Sequence, residues 1–313
     1  MSSQESPSPL DPPENKNAKD QAYFPLGFYV EFLEMLADRP DVFEVLTYDD
    51  LPWGDDYDHA NNYPQEQRNW QAQLKSGARS RDKIYVILQH DVDSSPHRTI
   101  KMLREEQRLN IPSNVMIFTR RVNRRHMNAT GELQLTDYPL DYDYLKRLER
   151  EHRFAICYHA NSFEQALFDR AQAMAIFERD VAQLREHFNI NFFSPHGGAR
   201  SPDGESNNSL PIPDSLTRSL RWVANKQSVR LDASFSDGGP NSPARDPAQR
   251  DLRDFVRTWR RGGRYRVLTH PQYYDTRSRP SPRMEGTPWY DQVRQAYADN
   301  PRPGLWAEVA ARF

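Results

Sequence analysis

One cysteine, Cys157, is all that the 313 residues contain, so an intrachain disulfide framework is impossible and a reducing compartment suits the chain. No apolar run approaches the roughly 18 residues that a membrane span needs. Residues 1–22, rich in Ser, Pro and charge, lack the apolar stretch of a secretory signal. They read as a disordered tail, because they cannot bury enough surface to offset the entropy of ordering. An excess of positive charge is also missing: 42 Lys and Arg stand against 44 Asp and Glu. A broad nucleic-acid-binding face would need the opposite. No segment repeats at a fixed period. These absences predict a cytoplasmic protein without membrane span or nucleic-acid partner, with a tail over 1–22 and a single domain over 23–313.

What the chain does have is alternation. "FYVEFLEMLADR" places Phe28, Phe32 and Leu36 on one helical face. "DVFEVLTYDDL" follows as a short strand and turn, and "GDDYDHANNYPQEQRNW" reads as a polar surface loop. "KIYVILQHD" predicts a strand, and "SSPHRTIKMLREEQRL" a helix with a serine cap and Pro96 in its first turn. The strands "SNVMIFT", "FAICYH", "INFFSP", "VRLDASFS" and "YRVLTH" come next, separated by helical patterns. One of these is a long helix opened by a Ser162/Gln165 capping box; another is "PDSLTRSLRWVANKQ". "DTRSRPSPRMEGTP" predicts a flexible loop, and a last helix, "PWYDQVRQAYA", packs back through Trp289 and Trp306. Nearly all-apolar strands alternating with helices indicate an α/β fold with a parallel, covered sheet. Six or seven such units fit a closed or nearly closed β/α barrel, with an open doubly wound sheet as the alternative.

Four histidines, His90, His159, His196 and His270, stand at or just beyond the carboxyl ends of predicted strands. In parallel β/α architectures those ends share one face, where sites are built. Asp91 and Asp93 join them. Residues two apart in an extended chain point the same way, so "DVD" aims both carboxylates to one side: one can hold a metal while the other takes a proton. A strand-end Asp alone is commonly turn chemistry, and a lone strand-end His is more often a local hydrogen bonder. The functional reading rests on recurrence at four separate strand ends.

"HDVD", "YHAN", "SPHGG", "DASFS" and "LTHPQ", in this order, resemble the five motifs of the polysaccharide deacetylase (NodB-homology) family, the fourth family of carbohydrate esterases. The similarity spans roughly residues 84–274 and fits a divergent, HDVD-type branch. It implies a distorted (β/α)7-type barrel, one divalent metal, usually zinc, and hydrolysis of an N- or O-acetyl group on a sugar. By position, Asp91 matches the catalytic base, Asp93 a metal ligand, His159 the first ligand histidine and His270 the general acid. Asp232 loosely matches the acid that orients that histidine. Two departures stand out. The second motif ordinarily reads His-x-x-x-His, but the later position here is Phe163; His196, in the third motif, is expected to replace it as third ligand. The third motif ordinarily supplies an arginine, for which Arg200 is the candidate.

Two imidazoles and a carboxylate leave a coordination position open for water, the pattern of a catalytic zinc. Fe, Co, Ni or Mn would suit the same ligands. Asp91 would accept the water's proton and His270 would protonate the leaving group. The expected partner is a carbohydrate or small-molecule substrate; the oligomeric state is left open. A metal amidohydrolase of a small non-sugar amide and a degenerate, non-catalytic glycan- or partner-binding barrel are the alternatives. Other features have plain readings: Cys157 as a small core residue, "TRRVNRRH" as a basic loop on the site's side, Tyr273 and Tyr274 as packing or ring-stacking residues, and His97 as surface.

Overall fold

The computed structural model describes residues 23–54, 62–197, 200–201, 203–223, 229–238, 251–276 and 288–313. The expected tail and most of the proline- and arginine-rich loop after Asp275 lie outside them. The chain runs through β1 (Phe24–Pro25), α1 (Leu26–Ala37), β2 (Phe43–Leu46) and α2 (Asn62–Ser76). It continues with β3 (Ile84–Asp91), α3 (Pro96–Arg108), β4 (Asn114–Ile117), β5 (Arg120–Val122), α4 (Arg124–Thr130) and β6 (Leu135–Asp137). Next come α5 (Tyr142–His152), β7 (Ala155–Ala160), α6 (Ser162–Gln165), α7 (Arg170–Arg185), β8 (Phe192–Pro195) and β9 (Arg221–Trp222). The last elements are β10 (Ala233–Ser236), α8 (Leu252–Arg257), β11 (Arg264–Thr269), β12 (Tyr274–Asp275), α9 (Pro288–Asp299) and α10 (Ala307–Ala310).

The main sheet is parallel, in the order β10-β11-β3-β4-β7-β8-β9. That is the chain order of a barrel, cut open between β10 and β9. β11 lies along one edge of β3, while the other edge is shared by β2, against Ile84–Ile87, and β4, against Gln89–Asp91. The sheet curls towards closure: Arg266 of β11 donates across the interior to the carbonyl of Val223, just past β9, at 3.0 Å. The expected parallel β/α barrel is therefore present as a curled half-barrel.

Two-residue alternation sorts the side chains. Val86, Leu88, Val115, Ile156 and Val267 face outward under the helices, whereas Tyr85, Ile87, Met116, Cys157 and Phe192 line the interior. Cys157 is thus a core residue, as expected. Trp306 joins the outer core, and Trp289 stacks on Phe24 at 5.9 Å, returning the C-terminal helices to the body.

Four local expectations are corrected. The expected polar loop contains α2, whose Glu66, Trp70 and Leu74, four apart, turn one face to the barrel's amino end. Only two of these three are apolar, so the period was hidden. The long capped helix from Ser162 is broken: Asn161, not Ser162, occupies the cap position of α6, and Leu167 and Phe168 take left-handed backbone (φ 49° and 68°) before Asp169 caps α7. The break lets Phe168 meet Phe163 at 5.3 Å. "PDSLTRSLRWVANKQ" forms a 3-10 turn over Asp214–Leu216 and then β9, because Trp222 and Val223 are drawn beside β8; residues 224–228 lie outside the described residues. Finally, the basic stretch after β4 is more ordered than a loop, forming β5 against β6.

Candidate metal centre

β3 delivers Asp91 at its last position, and Asp93 follows after one residue. Ser95, two residues on, holds the N-cap position of α3 with left-handed backbone (φ 55°), and its side chain makes no capping bond. Serine is thus the cap residue, as expected, but in a tight turn ahead of Pro96, a strained conformation of a kind that clusters at functional sites. His159 comes from β7, and His196 directly follows β8. His159 Nε2 and His196 Nε2 lie 3.2 and 3.5 Å from Asp93 Oδ1. One ligand atom from each of the three residues falls within 4.8 Å of the others.

These separations fit a metal. A tetrahedral shell with metal–ligand bonds of about 2.0–2.1 Å needs donor atoms roughly 3.3 Å apart. The remaining ring nitrogens are already engaged. His159 Nδ1 donates to the Ser194 carbonyl at 2.9 Å, and His196 Nδ1 lies 3.4 Å from Glu164 Oε2. Such outer partners fix the tautomer and turn Nε2 inward. Phe118 stacks on His159 and meets His196 edge-on, each at 5.0 Å between centroids. Asp93 Oδ2 accepts from Gln272 at 3.4 Å.

Asp91 lies beside the triad, its Oδ2 3.9 Å from His159 Nε2. Its Oδ1 accepts from Gln89 Nε2 at 2.7 Å, and Gln89 Oε1 accepts from the Tyr48 hydroxyl at 2.5 Å. His270, just past β11, places Nε2 3.8 Å from Asp93 Oδ2. Its Nδ1 donates to Asp237 Oδ1 at 2.5 Å, and its backbone amide to Asp237 Oδ2 at 2.8 Å.

The charges reinforce one another. Burial opposes ionisation of Asp93, but the hydrogen bond from His159 and the charges of His196 and His270 hold its carboxyl well below the usual range. Burial likewise disfavours a charged His270, yet Asp237, with Asp93 and Asp91, raises its pKa to about 10. His159 is also raised, Asp91 and Asp93 outweighing burial. A concentration of carboxylates is thus drawing positive charge towards one point.

Three of the four strand-end histidines converge here. His90 does not: it faces outward, its ring nitrogens 2.7 Å from Thr269 Oγ1 and Glu106 Oε1. Asp232 is a correction. It precedes β10, at the amino end of the barrel, where its Oδ2 accepts from the Arg264 amide at 2.8 Å. Asp237, just past the carboxyl end of the same strand, makes the bond expected of Asp232. The strand-end rule that selected the histidines would have chosen it. Glu164, Gln89 and Gln272 were also missed. Gln89 was within reach, since it shares the inner face with Asp91, but Glu164 carries no signal in the sequence.

Arg200 is exposed and donates to the Gly204 carbonyl at 3.1 Å. Phe163 is a buried core residue. Tyr274 belongs to the core, while Tyr273 stacks on Tyr23 at 4.8 Å and lies 5.3 Å from the His270 ring. His97 is half-buried in the first turn of α3.

Neither a scan against protein-family models nor a search of curated proteins returns a match. Among solved structures, a family 4 acetyl xylan esterase from Clostridium thermocellum in complex with a cobalt ion is similar at 16% identity. The match covers 69% of this chain and 84% of that one, with a TM-score of 0.30. At that score it carries no argument about this chain, whose fold rests on the sheet topology above. Among the described residues, no helix is long and apolar enough to cross a membrane.

Proposed function

We propose that this chain is a metal-dependent hydrolase that removes an acetyl group from a carbohydrate or glycan precursor. The observation that carries the hydrolase reading is the convergence of Asp93, His159 and His196 donor atoms within 4.8 Å, with Asp91 and His270 beside them. The acetyl-sugar substrate rests on the resemblance of the five sequence motifs.

Asp93, His159 and His196 would hold one divalent cation, zinc being the first choice for this ligand set. Such a cation supplies Lewis acidity, lowering the pKa of water and polarising an acyl carbonyl. Asp91 serves as general base: Gln89 occupies its Oδ1, and Oδ2 is left towards the triad to take a proton. His270 serves as general acid, with Asp237 fixing its ring so that Nε2–H is directed at the site. Phe118 packs water away from one flank of the histidine pair.

Elemental analysis of the purified full chain, before and after chelation, combined with acetate release from a panel of acetylated sugars, tests both halves. Stoichiometric metal and chelator-sensitive release are expected. No metal after zinc reconstitution would remove the hydrolase reading. Bound metal with no acetate release would remove the acetyl-sugar substrate and leave the small-amide alternative.

A further inference from the structure

At the opposite end of the barrel from the metal triad lies a cavity of about 360 Å³. Its wall carries Arg81, Arg230, Arg260, Arg261 and Arg264, and a single acidic residue, Asp232. Arg264 is neutralised by Glu66, at 2.5 and 3.0 Å, and lies over Trp70 at 4.4 Å from the ring centroid. Asp232 is left facing four other arginines, an excess of three positive charges around one concave space. Arg81 donates to the Leu74 carbonyl at 3.3 Å and Arg261 to the Asp82 carbonyl. These acceptors are neutral, so they orient the guanidinium groups without cancelling their charge.

The turn that bears Arg260 and Arg261 is pinned. Gly262 has φ +76° and donates to the Lys83 carbonyl at 2.6 Å; Gly263 donates to Arg260 O at 3.0 Å. The Arg260 amide donates to the Tyr265 hydroxyl at 2.8 Å. A Cβ at Gly263 would come within 2.6 Å of that hydroxyl and 2.9 Å of the Arg260 carbonyl oxygen, so a side chain there would displace the turn. Like charges lining one concave space repel one another, a cost that an anion bound among them removes. Guanidinium groups match phosphate oxygens in geometry as well as charge, and the volume suits a small molecule.

We infer that this basin is a binding site for a small phosphate-bearing anion of the pyrophosphate class, distinct from the metal centre. The six-residue length of β11 separates it from His270 by roughly 20 Å.

The test is calorimetric titration of the chelator-treated full chain with inorganic pyrophosphate at constant ionic strength. Saturable binding of one equivalent is expected. It should weaken about tenfold or more in Arg260→Glu/Arg261→Glu, both exposed, and persist in Asp93→Asn. Absence of saturable heat up to about 5 mM, equal binding by the charge-reversed variant, or loss in Asp93→Asn would each overturn the assignment. An equal response to chloride at the same ionic strength would also overturn it, by reducing the effect to screening. Far-ultraviolet circular dichroism checks the fold, and Arg260→Gln/Arg261→Gln replaces the reversed pair if that pair does not fold. None of these outcomes depends on the hydrolase reading.

Discussion

Asp237 holds His270 twice, accepting from its ring Nδ1 at 2.5 Å and from its backbone amide at 2.8 Å. Both carboxylate oxygens are committed, so the ring cannot rotate without breaking a buried, charge-assisted hydrogen bond. Asp237→Asn offers the ring an amide of nearly the same shape but removes the negative charge. We expect kcat to fall by roughly 10²–10⁴, with KM and metal content little changed. Asp232→Asn, at the far end of the barrel, should turn over like the unmodified protein. Equal losses in both variants would remove Asp237 from its role as the residue that positions His270.

The two aspartates of "HDVD" should fail differently. Asp91→Asn removes a proton acceptor and retains metal, with turnover reduced about 10²–10⁴-fold. Asp93→Asn removes the anionic donor shared by both histidines, so metal affinity itself falls and added zinc restores part of the activity. Metal analysis alongside steady-state kinetics separates the two, and the reverse pattern would exchange their roles.

Glu164 is almost fully buried and stands behind His196 at 3.4 Å. Glu164→Gln should lower metal affinity by about 10–100-fold, the usual cost of losing an outer partner of a ligand histidine. Competition with a chromogenic chelator reads this directly. His97→Ala, outside the triad, should leave affinity unchanged.

A stability prediction concerns the amino end of the barrel. Glu66 and Arg264 are paired there, with side chains 0% and 2% exposed. Glu66→Ala strands a buried guanidinium and should cost about 3–5 kcal/mol in urea unfolding. Replacing both members, as Glu66→Leu/Arg264→Met, should recover much of that loss, because no unpaired charge is left. A loss below about 1 kcal/mol in the single variant would mean that water reaches Arg264.

Neighbouring residues encode the strands and the face they share, and they mark most of the candidate site residues on it. Apolar runs alternating with helical periods specify parallel β/α units. A strand's two-residue period then places Asp91 and Asp93, and strand-end position selects His159, His196 and His270. Those are local properties, encoded in neighbouring residues. Which residues complete the candidate site depends on long-range packing, because their partners are remote in sequence. Glu164 reaches His196 only after α6 is cut short by two left-handed residues. Asp237 rather than Asp232 reaches His270 because the register of β10 against β11 sets Ser236 beside Leu268, leaving Asp237 at the site's end of the barrel and Asp232 at the other. α2 was hidden for the same reason: its inward face is held by Glu66 as well as by Trp70 and Leu74. A charged residue signals burial only once the arginine that neutralises it, 198 positions away, is in place.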